Sequence, residues 1–280
     1  MKLTWLGCAS YKIDCGGTTL WTDPFISMTS NAQYLTTEDT FEDAREILIS
    51  HGHFDHLMSV PELNAARKIH VHCTETPRET LLQCGMPEER INCCAPGDSF
   101  EVGFASVKVY QGEHNTPDLK MALGAVLRTV SSPRNIVNFL KMGAVHKKFP
   151  EAGETIIFEI KANGYRVLSM GSLGLPDGVQ QPERGADLLV LPYNGLSDPS
   201  ISSLNIVDKL RPKAVLLSHH DDSIPPLTGK LDVSIFVDAM REEFPKIPVV
   251  VPQFGVEMLL SEILGDIEEI KEKEKITRIA

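Results

Sequence analysis

Four side chains that can bind a metal ion lie within six consecutive positions, His51-Gly52-His53-Phe54-Asp55-His56. They directly follow the apolar run 47–50, and packing does not explain such a concentration of well-hydrated groups. Positions two apart in an extended segment project to the same side, so His51 and His53 can face one ion together. Imidazole and carboxylate ligands suit zinc, with manganese or iron as alternatives. The stretch therefore predicts a metal site.

The ligands that complete such a site must come from elsewhere in the chain. A catalytic ion needs about three protein ligands and one open position for water. Residues 51–56 alone therefore supply only part of the ligands that two such sites need, about half of each site. His114 follows a predicted strand at 106–110, and His219 ends a predicted strand at 214–217. We expect these two histidines to be ligands. Three others are expected to be structural or surface residues: His70, His72 and His146.

Two segments share one pattern, an apolar strand that ends in Ser-His. They are residues 46–51 and 214–219. Each is predicted to deliver a histidine at the carboxyl end of its strand, and open α/β sheets bind ligands at such ends.

The remaining elements predict a layered α/β fold in a single domain, residues 1–280. Short strands dominate the first half, and the last third alternates strands with helices at 200–210 and 232–243. We predict a helix at 57–67, a strand at 125–130 and an inserted segment at 131–153 whose residues 135–148 are helical. A charged helix is predicted from about residue 261.

The composition is typical of a globular protein with a small-molecule partner. Of the 280 residues, 42% are hydrophobic and 23% charged, and the formal net charge is -11. That charge argues against nucleic acid and anionic membranes as partners. The sequence shows neither a signal peptide nor a membrane span, and its six cysteines lack zinc-finger or redox spacing. We expect a cytoplasmic protein with free thiols.

The stretch at 51–56 matches the His-x-His-x-Asp-His signature of the metallo-β-lactamase superfamily. The segments Thr4-Trp5-Leu6-Gly7 and Thr22-Asp23-Pro24 resemble its ascorbate-6-phosphate lactonase-like branch. The likeness extends over about residues 2–256. It implies a four-layer αββα sandwich of the metallo-β-lactamase type.

The resemblance also implies a role for each candidate ligand. The first ion takes His51, His53 and His114, and the second takes Asp55, His56 and His219. His220 is the alternative to His219. Asp23 corresponds to a carboxylate that orients a ligand histidine, with a plain turn residue as the other interpretation.

Two positions depart from the family pattern. Ser172 stands where the family has an aspartate that bridges both ions, which predicts a weakened second site. Asp177, Asp221 and Asp222 are candidates to compensate. Cys8 stands where the lactonase-like branch often has histidine, and it is interpreted as a thiol at the cavity rim or a buried neutral cysteine.

These residues predict a metal-dependent hydrolase that binds one or two zinc ions. A metal-bound hydroxide, oriented by Asp55 as the catalytic carboxylate, would attack a small ester, lactone or phosphodiester. An anionic substrate is considered because Lys120, Arg128 and further basic residues up to Lys148 could steer it, but a solvated helix face is the favoured interpretation of these residues. A flavodiiron oxidoreductase is rejected because of His53, and the net charge argues against a nuclease. The alternative is a non-enzymatic metal-binding or sensor protein.

Overall fold

Two seven-stranded sheets form the middle of the protein. The structure is a computed structural model that describes residues 1–149 and 153–265. Its strands are β1 (Lys2–Trp5), β2 (Tyr11–Asp14), β3 (Thr19–Thr22), β4 (Glu46–Leu48), β5 (His70–Cys73), β6 (Ile91–Cys93), β7 (Ser99–Val102), β8 (Ala105–Gln111), β9 (Ile156–Ala162), β10 (Tyr165–Met170), β11 (Leu188–Pro192), β12 (Ala214–Ser218), β13 (Val249–Val250) and β14 (Glu257–Leu259).

Both sheets are mixed. The first has the order β14-β1-β2-β3-β4-β5-β6, antiparallel from β14 to β3 and parallel from β3 to β6. The second has the order β13-β12-β11-β10-β9-β8-β7, parallel from β13 to β10 and antiparallel from β10 to β7. The strands β4 and β12, which carry the repeated Ser-His pattern, therefore belong to different sheets.

Seven α-helices connect the strands in the described part of the chain. They are α1 (Phe54–Leu57), α2 (Val60–Ala66), α3 (Glu75–Gln83), α4 (Leu119–Val130), α5 (Pro133–His146), α6 (Ser200–Leu210) and α7 (Ser234–Glu243). The single helix predicted at 57–67 is divided between α1 and α2, and Pro61 occupies the first turn of α2, where proline is tolerated.

Three apolar layers hold the sheets and helices together. Between the sheets, Trp5 and Ile13 of the first pack with Phe158 and Leu216 of the second. Leu63 and other residues of α1–α3 cover the outer face of the first sheet, while α6 and α7 cover that of the second. Each sheet thus buries one face against its partner and the other against helices. The predicted four-layer sandwich is confirmed.

The strand predicted at 125–130 is wrong, because these residues form the second half of α4. The β-branched residues there suggested a strand, but they continue a segment of strong helix formers from Leu119 onward. The Asp118 carboxylate accepts a hydrogen bond from the Met121 amide over 2.7 Å and caps the helix. The helical segment therefore begins at Leu119, before the predicted insert boundary of 131, and the helix predicted at 135–148 is α5.

The helices α4 and α5 form a hairpin that leaves large apolar side chains exposed. They are Leu119, Leu123, Val126, Leu127, Val130, Ile136, Val137, Phe139 and Leu140. No helix within residues 1–149 and 153–265 combines the length and the hydropathy needed to cross a bilayer.

At the C-terminal end, residues 260–265 are helical. The rest of the charged helix predicted from about 261 lies outside the described residues.

Candidate metal centre

The side chains that follow β4 and β12 meet, although the two strands lie in different sheets. His51 comes three positions after the end of β4, and His219 directly follows β12. The His56 ring links them, with its centroid 4.0 Å from that of His51 and 5.6 Å from that of His219. One edge of the sandwich therefore gathers the residues that the two Ser-His repeats deliver.

His51, His53 and His114 form the first compact group. One ring nitrogen from each lies within 4.8 Å of those of the others. The His53 and His114 ring centroids are 4.4 Å apart, and each lies 5.0 Å from the His51 centroid. Nε2 of His51 is buried and has no hydrogen-bond partner among the residues that the structure describes. A buried nitrogen without a partner is costly, and a cation would satisfy it.

Cys8, Asp55 and His219 form the second compact group, again with one atom each within 4.8 Å of the others. Nε2 of His219 lies 3.2 Å from Oδ2 of Asp55. The Cys8 sulfur lies 3.6 Å from Nε2 of His219 and 3.9 Å from Oδ2 of Asp55. Thiolate, carboxylate and imidazole together are a donor set that suits zinc.

His56 lies between the two groups. Its Nε2 is 3.6 Å from Oδ2 of Asp55. The structure thus brings together all six residues proposed as ligands. It also places Cys8 among them. The sequence alone indicated only a thiol at the cavity rim or a buried neutral cysteine at this position. Cys8 is fully buried, and its side chain belongs to the second group.

Asp23 holds the loop that carries the histidines. Its Oδ2 lies 3.0 Å from Nδ1 of His56 and accepts a 2.6 Å hydrogen bond from the Ser50 hydroxyl. Its Oδ1 accepts from the Ser50 amide over 2.8 Å. A carboxylate on Nδ1 fixes the ring so that Nε2 faces the cavity, which agrees with the orienting role that the family resemblance implies for Asp23.

Gly171 permits this arrangement. A Cβ at this position would lie 1.8 Å from the Ser50 hydroxyl oxygen and 3.0 Å from Oδ2 of Asp23. No side chain fits at that distance, so β10 can end beside the Asp23–Ser50 pair only with glycine at this position.

The backbone around Cys8 and His219 adopts the left-handed region at both residues, with φ of 47° and 53°. Such residues carry a conformational cost and are found where surrounding contacts enforce them. The Cys8 amide donates to Oδ1 of Asp221 over 3.0 Å. His220 instead stacks on Trp5 with ring centroids 4.6 Å apart, so His219 is the histidine of this pair that faces the centre.

Ser172 lies in the cavity wall, and its hydroxyl donates to Oδ1 of Asn115 over 3.1 Å. Asp177 is at the surface in an ion pair with Lys209. Asp222 accepts a hydrogen bond from the Thr228 hydroxyl. Neither belongs to the two ligand groups, and Asp221 reaches the centre only through the Cys8 amide. Cys8, rather than another aspartate, therefore supplies the additional donor.

The remaining histidines have other contacts. Nε2 of His72 lies 3.1 Å from Oε2 of Glu46, and its ring stacks on Phe100. His70 and His146 are exposed. None of the three belongs to either ligand group.

His51, His53 and Asp55 are held in the protonation states that metal binding requires. Burial, reinforced by His56, keeps the pKa of His51 well below its usual value, and burial lowers the pKa of His53 to about 4. Burial alone would raise the pKa of Asp55, but the facing His56 and His219 outweigh it and lower that pKa. Neutral imidazoles and an ionised carboxylate are the ligand forms. The other members of the second group differ. Burial and nearby carboxylates raise the pKa of Cys8, which favours the neutral thiol in the metal-free protein. Burial alone would lower the pKa of His219, but Asp55 outweighs it and raises that pKa.

A cavity of about 190 Å³ opens onto both groups. His53, Asp55, His56, His114 and His219 line it on the polar side. Phe54, Leu173, Pro192, Ile224 and Leu227 are among its apolar wall residues. The basic residues considered for steering an anion are partly engaged elsewhere: Arg128 donates to the carbonyl oxygens of Pro226 and Leu227, and Lys148 lines a separate pocket.

The chain is similar in sequence to curated proteins named as metal-dependent hydrolases. A metal-dependent hydrolase of Polaromonas sp. (strain JS666 / ATCC BAA-500) is 23% identical over 232 residues, which cover 78% of this chain and 77% of the relative. One from Methanocaldococcus jannaschii is 22% identical over 253 residues, covering 90% and 97%. Their names agree with the hydrolase predicted from the sequence.

Solved structures share the fold. Igni18, a metallo hydrolase from Ignicoccus hospitalis, aligns with a TM-score of 0.62 and 18% identity, covering 92% of this chain and 97% of that one. A possible metal-dependent hydrolase from Veillonella parvula aligns with a TM-score of 0.61 and 14% identity, covering 92% and 98%. Residues 2–219 match the family described as Beta-lactamase superfamily domain. With most of the chain inside that match and the histidines of its signature gathered at one cavity, the protein belongs to the β-lactamase superfamily.

Proposed function

We propose that the protein is a metal-dependent hydrolase that acts on a small ester, lactone or phosphodiester. The observation that carries the proposal is the convergence of two ligand groups, His51/His53/His114 and Cys8/Asp55/His219, on one cavity. Each group supplies the three protein ligands that a catalytic ion requires while it leaves a position open. We assign two ions to the centre and zinc as the metal, because sulfur and imidazole ligands disfavour magnesium and calcium.

Bound divalent ions would lower the pKa of water towards neutrality and polarise the carbonyl or phosphoryl oxygen under attack. The chain supplies the groups that orient and transfer the proton. Oδ2 of Asp55 faces the cavity between His56 and His219, within 3.6 Å of an Nε2 of each. We assign it as the acceptor of the proton from the attacking water and its donor to the leaving group.

The cavity walls control water around the reacting bond. Phe54, Leu173 and Ile224 place apolar surface beside the ligand groups. Such walls exclude bulk water and strengthen the electrostatic interactions of Asp55.

Within the superfamily, we propose a relationship to the ascorbate-6-phosphate lactonase-like branch. The support is the local role of its two motifs. Trp5 donates its indole N–H to the Cys8 carbonyl oxygen over 3.0 Å, and Asp23 holds His56. Both motifs therefore position the ligand groups, as residues close to a metal centre do.

We propose that the partner is a small molecule, which includes small anions. We also propose that the protein lies in the cytoplasm. The formal net charge of -11 makes nucleic acid and anionic membrane surfaces unfavourable partners. The sensor alternative is less well supported, because Cys8 completes the second group although Ser172 replaces the bridging aspartate.

Metal analysis combined with a substrate screen tests the proposal. The purified protein is dialysed against zinc, analysed for bound metal, and assayed with generic esters, lactones and phosphodiesters. We expect two equivalents of metal and turnover that a chelator abolishes and zinc restores. His114→Ala should lose both a metal equivalent and turnover, whereas His70→Ala, at an exposed histidine, should lose neither. One tightly held ion with no turnover of any class would instead identify a sensor.

A further inference from the structure

A second cavity, of about 340 Å³, opens beside the metal centre along one face of α5. Phe139, Met142, Gly143 and His146 of α5 form one side, and Phe54 and Leu227 form the other. Apart from His146, and from His53 and Asp55 at the boundary with the metal cavity, this lining is apolar. We call it the α5 slot.

The α5 slot and the metal cavity are continuous. His53, Phe54, Asp55 and Leu227 line both. A ligand whose reacting bond lies at Asp55 therefore has the mouth of the slot directly beside it. A substrate with only a polar acyl or phosphoryl group would leave this apolar surface exposed to water.

We propose that the α5 slot binds an apolar arm of the substrate, so that the hydrolase acts on esters or phosphodiesters that carry an alkyl or aryl group. This inference rests on the proposed function and specifies its substrate class. The volume agrees, because an apolar cavity of about 150 Å³ is known to hold benzene and the slot is roughly twice as large. It accommodates a medium-length chain or a substituted ring.

Gly143 provides the means to test the slot. On α5, positions 139, 143 and 146 are spaced by four and three residues, so they share the face that lines the slot. A Cβ on Gly143 would meet no heavy atom within 4 Å, and the residue does not have a positive φ. A larger side chain there can therefore be built without strain, and it would occupy the slot. Ala144, next along the helix, is exposed like Gly143 but does not line the slot.

The first experiment compares ester and phosphodiester series of increasing alkyl length on the zinc-loaded protein. We expect kcat/KM to rise by about three- to fourfold for each methylene that is buried, and then to level off. In Gly143→Leu the ratio of kcat/KM for the long to the short substrate should fall at least tenfold. Ala144→Leu places the same side chain outside the slot and should leave that ratio unchanged.

A second measurement does not depend on turnover. Binding of octanoate, with acetate as the short reference, is followed by calorimetry on the wild type and both variants. Octanoate should bind the wild type, bind Gly143→Leu at least tenfold more weakly, and bind Ala144→Leu as in the wild type. The same binding pattern in a protein that shows no turnover would support the apolar binding site in the slot and contradict the proposed hydrolase activity.

Three results would overturn the inference. They are turnover that is independent of chain length, octanoate binding no tighter than that of acetate, and equal effects of the two leucine variants. A change of oligomeric state in Gly143→Leu, measured by analytical ultracentrifugation, would assign the slot to a second copy of the chain and also count against a substrate arm.

Discussion

The His219 amide donates a hydrogen bond to the Cys8 carbonyl oxygen over 2.8 Å, and the Cys8 sulfur lies 3.6 Å from Nε2 of the same histidine. One residue pair thus connects the N-terminal turn to the end of β12 both through the backbone and at the centre. Both residues adopt left-handed backbone conformations that this contact stabilises. The conformational free-energy cost of two left-handed residues is offset here, because this backbone geometry lets the two side chains face each other.

Cys8→Ala should weaken the second metal position. A divalent cation beside the thiol favours the thiolate, so the raised pKa of metal-free Cys8 falls on binding. Titration with Co²⁺ should show a sulfur-to-cobalt charge-transfer band in the wild type that the variant lacks. The affinity of the second ion should fall by at least about tenfold. Cys15→Ala removes another buried thiol outside both groups and is the control. A retained band in Cys8→Ala would contradict the assignment.

Ser172→Asp should strengthen the second position. The added carboxylate would enter the cavity wall where the superfamily has its bridging aspartate. We expect tighter binding of the second equivalent in a competition titration with a chromophoric chelator. Ser172→Asn, with the same size but no charge, should not reproduce the gain. Equal affinity in the Asp and Asn variants would show that Ser172 does not face the ions.

Asp23→Asn should lower metal affinity by about 10–100-fold, the usual effect of losing the partner of a ligand histidine. The variant removes the negative charge of the Asp23 carboxylate, which lies beside Nδ1 of His56, and keeps the size of the side chain. Asparagine tolerates the left-handed backbone of this position, where φ is 41°. Metal titration combined with circular dichroism measures both effects. If affinity is unchanged while the fold is intact, Asp23 is only a turn residue.

Gly171→Ala should destabilise the metal-free protein by about 1–3 kcal/mol, because the methyl group forces Ser50 and Asp23 apart. Urea unfolding measures the change. Gly143→Ala, whose Cβ meets no atom within 4 Å and lies in a helix, should be neutral or slightly stabilising. A loss of equal size in both variants would show that the contact with Ser50 is not the cause.

Much of the fold and the positions of the candidate ligands could be predicted because they depend on local patterns. Period-two and helical spacing located most strands and helices, and the Ser-His repeat indicated His51 and His219. The position of Cys8 in the second group could not be inferred, because it depends on a contact across 211 sequence positions. The second half of α4, residues 125–130, is predicted as a strand because its apolar residues indicate a buried element, whereas most of them are exposed.

The origin of the ligands in both sheets bears on how the protein matures. Each ligand group draws on both sheets, because His114 follows β8 and His219 follows β12 of the second sheet, whereas the other members follow strands of the first. A cation bound by either group would therefore connect the two sheets. Full metal loading therefore requires that the two sheets of the sandwich have packed together.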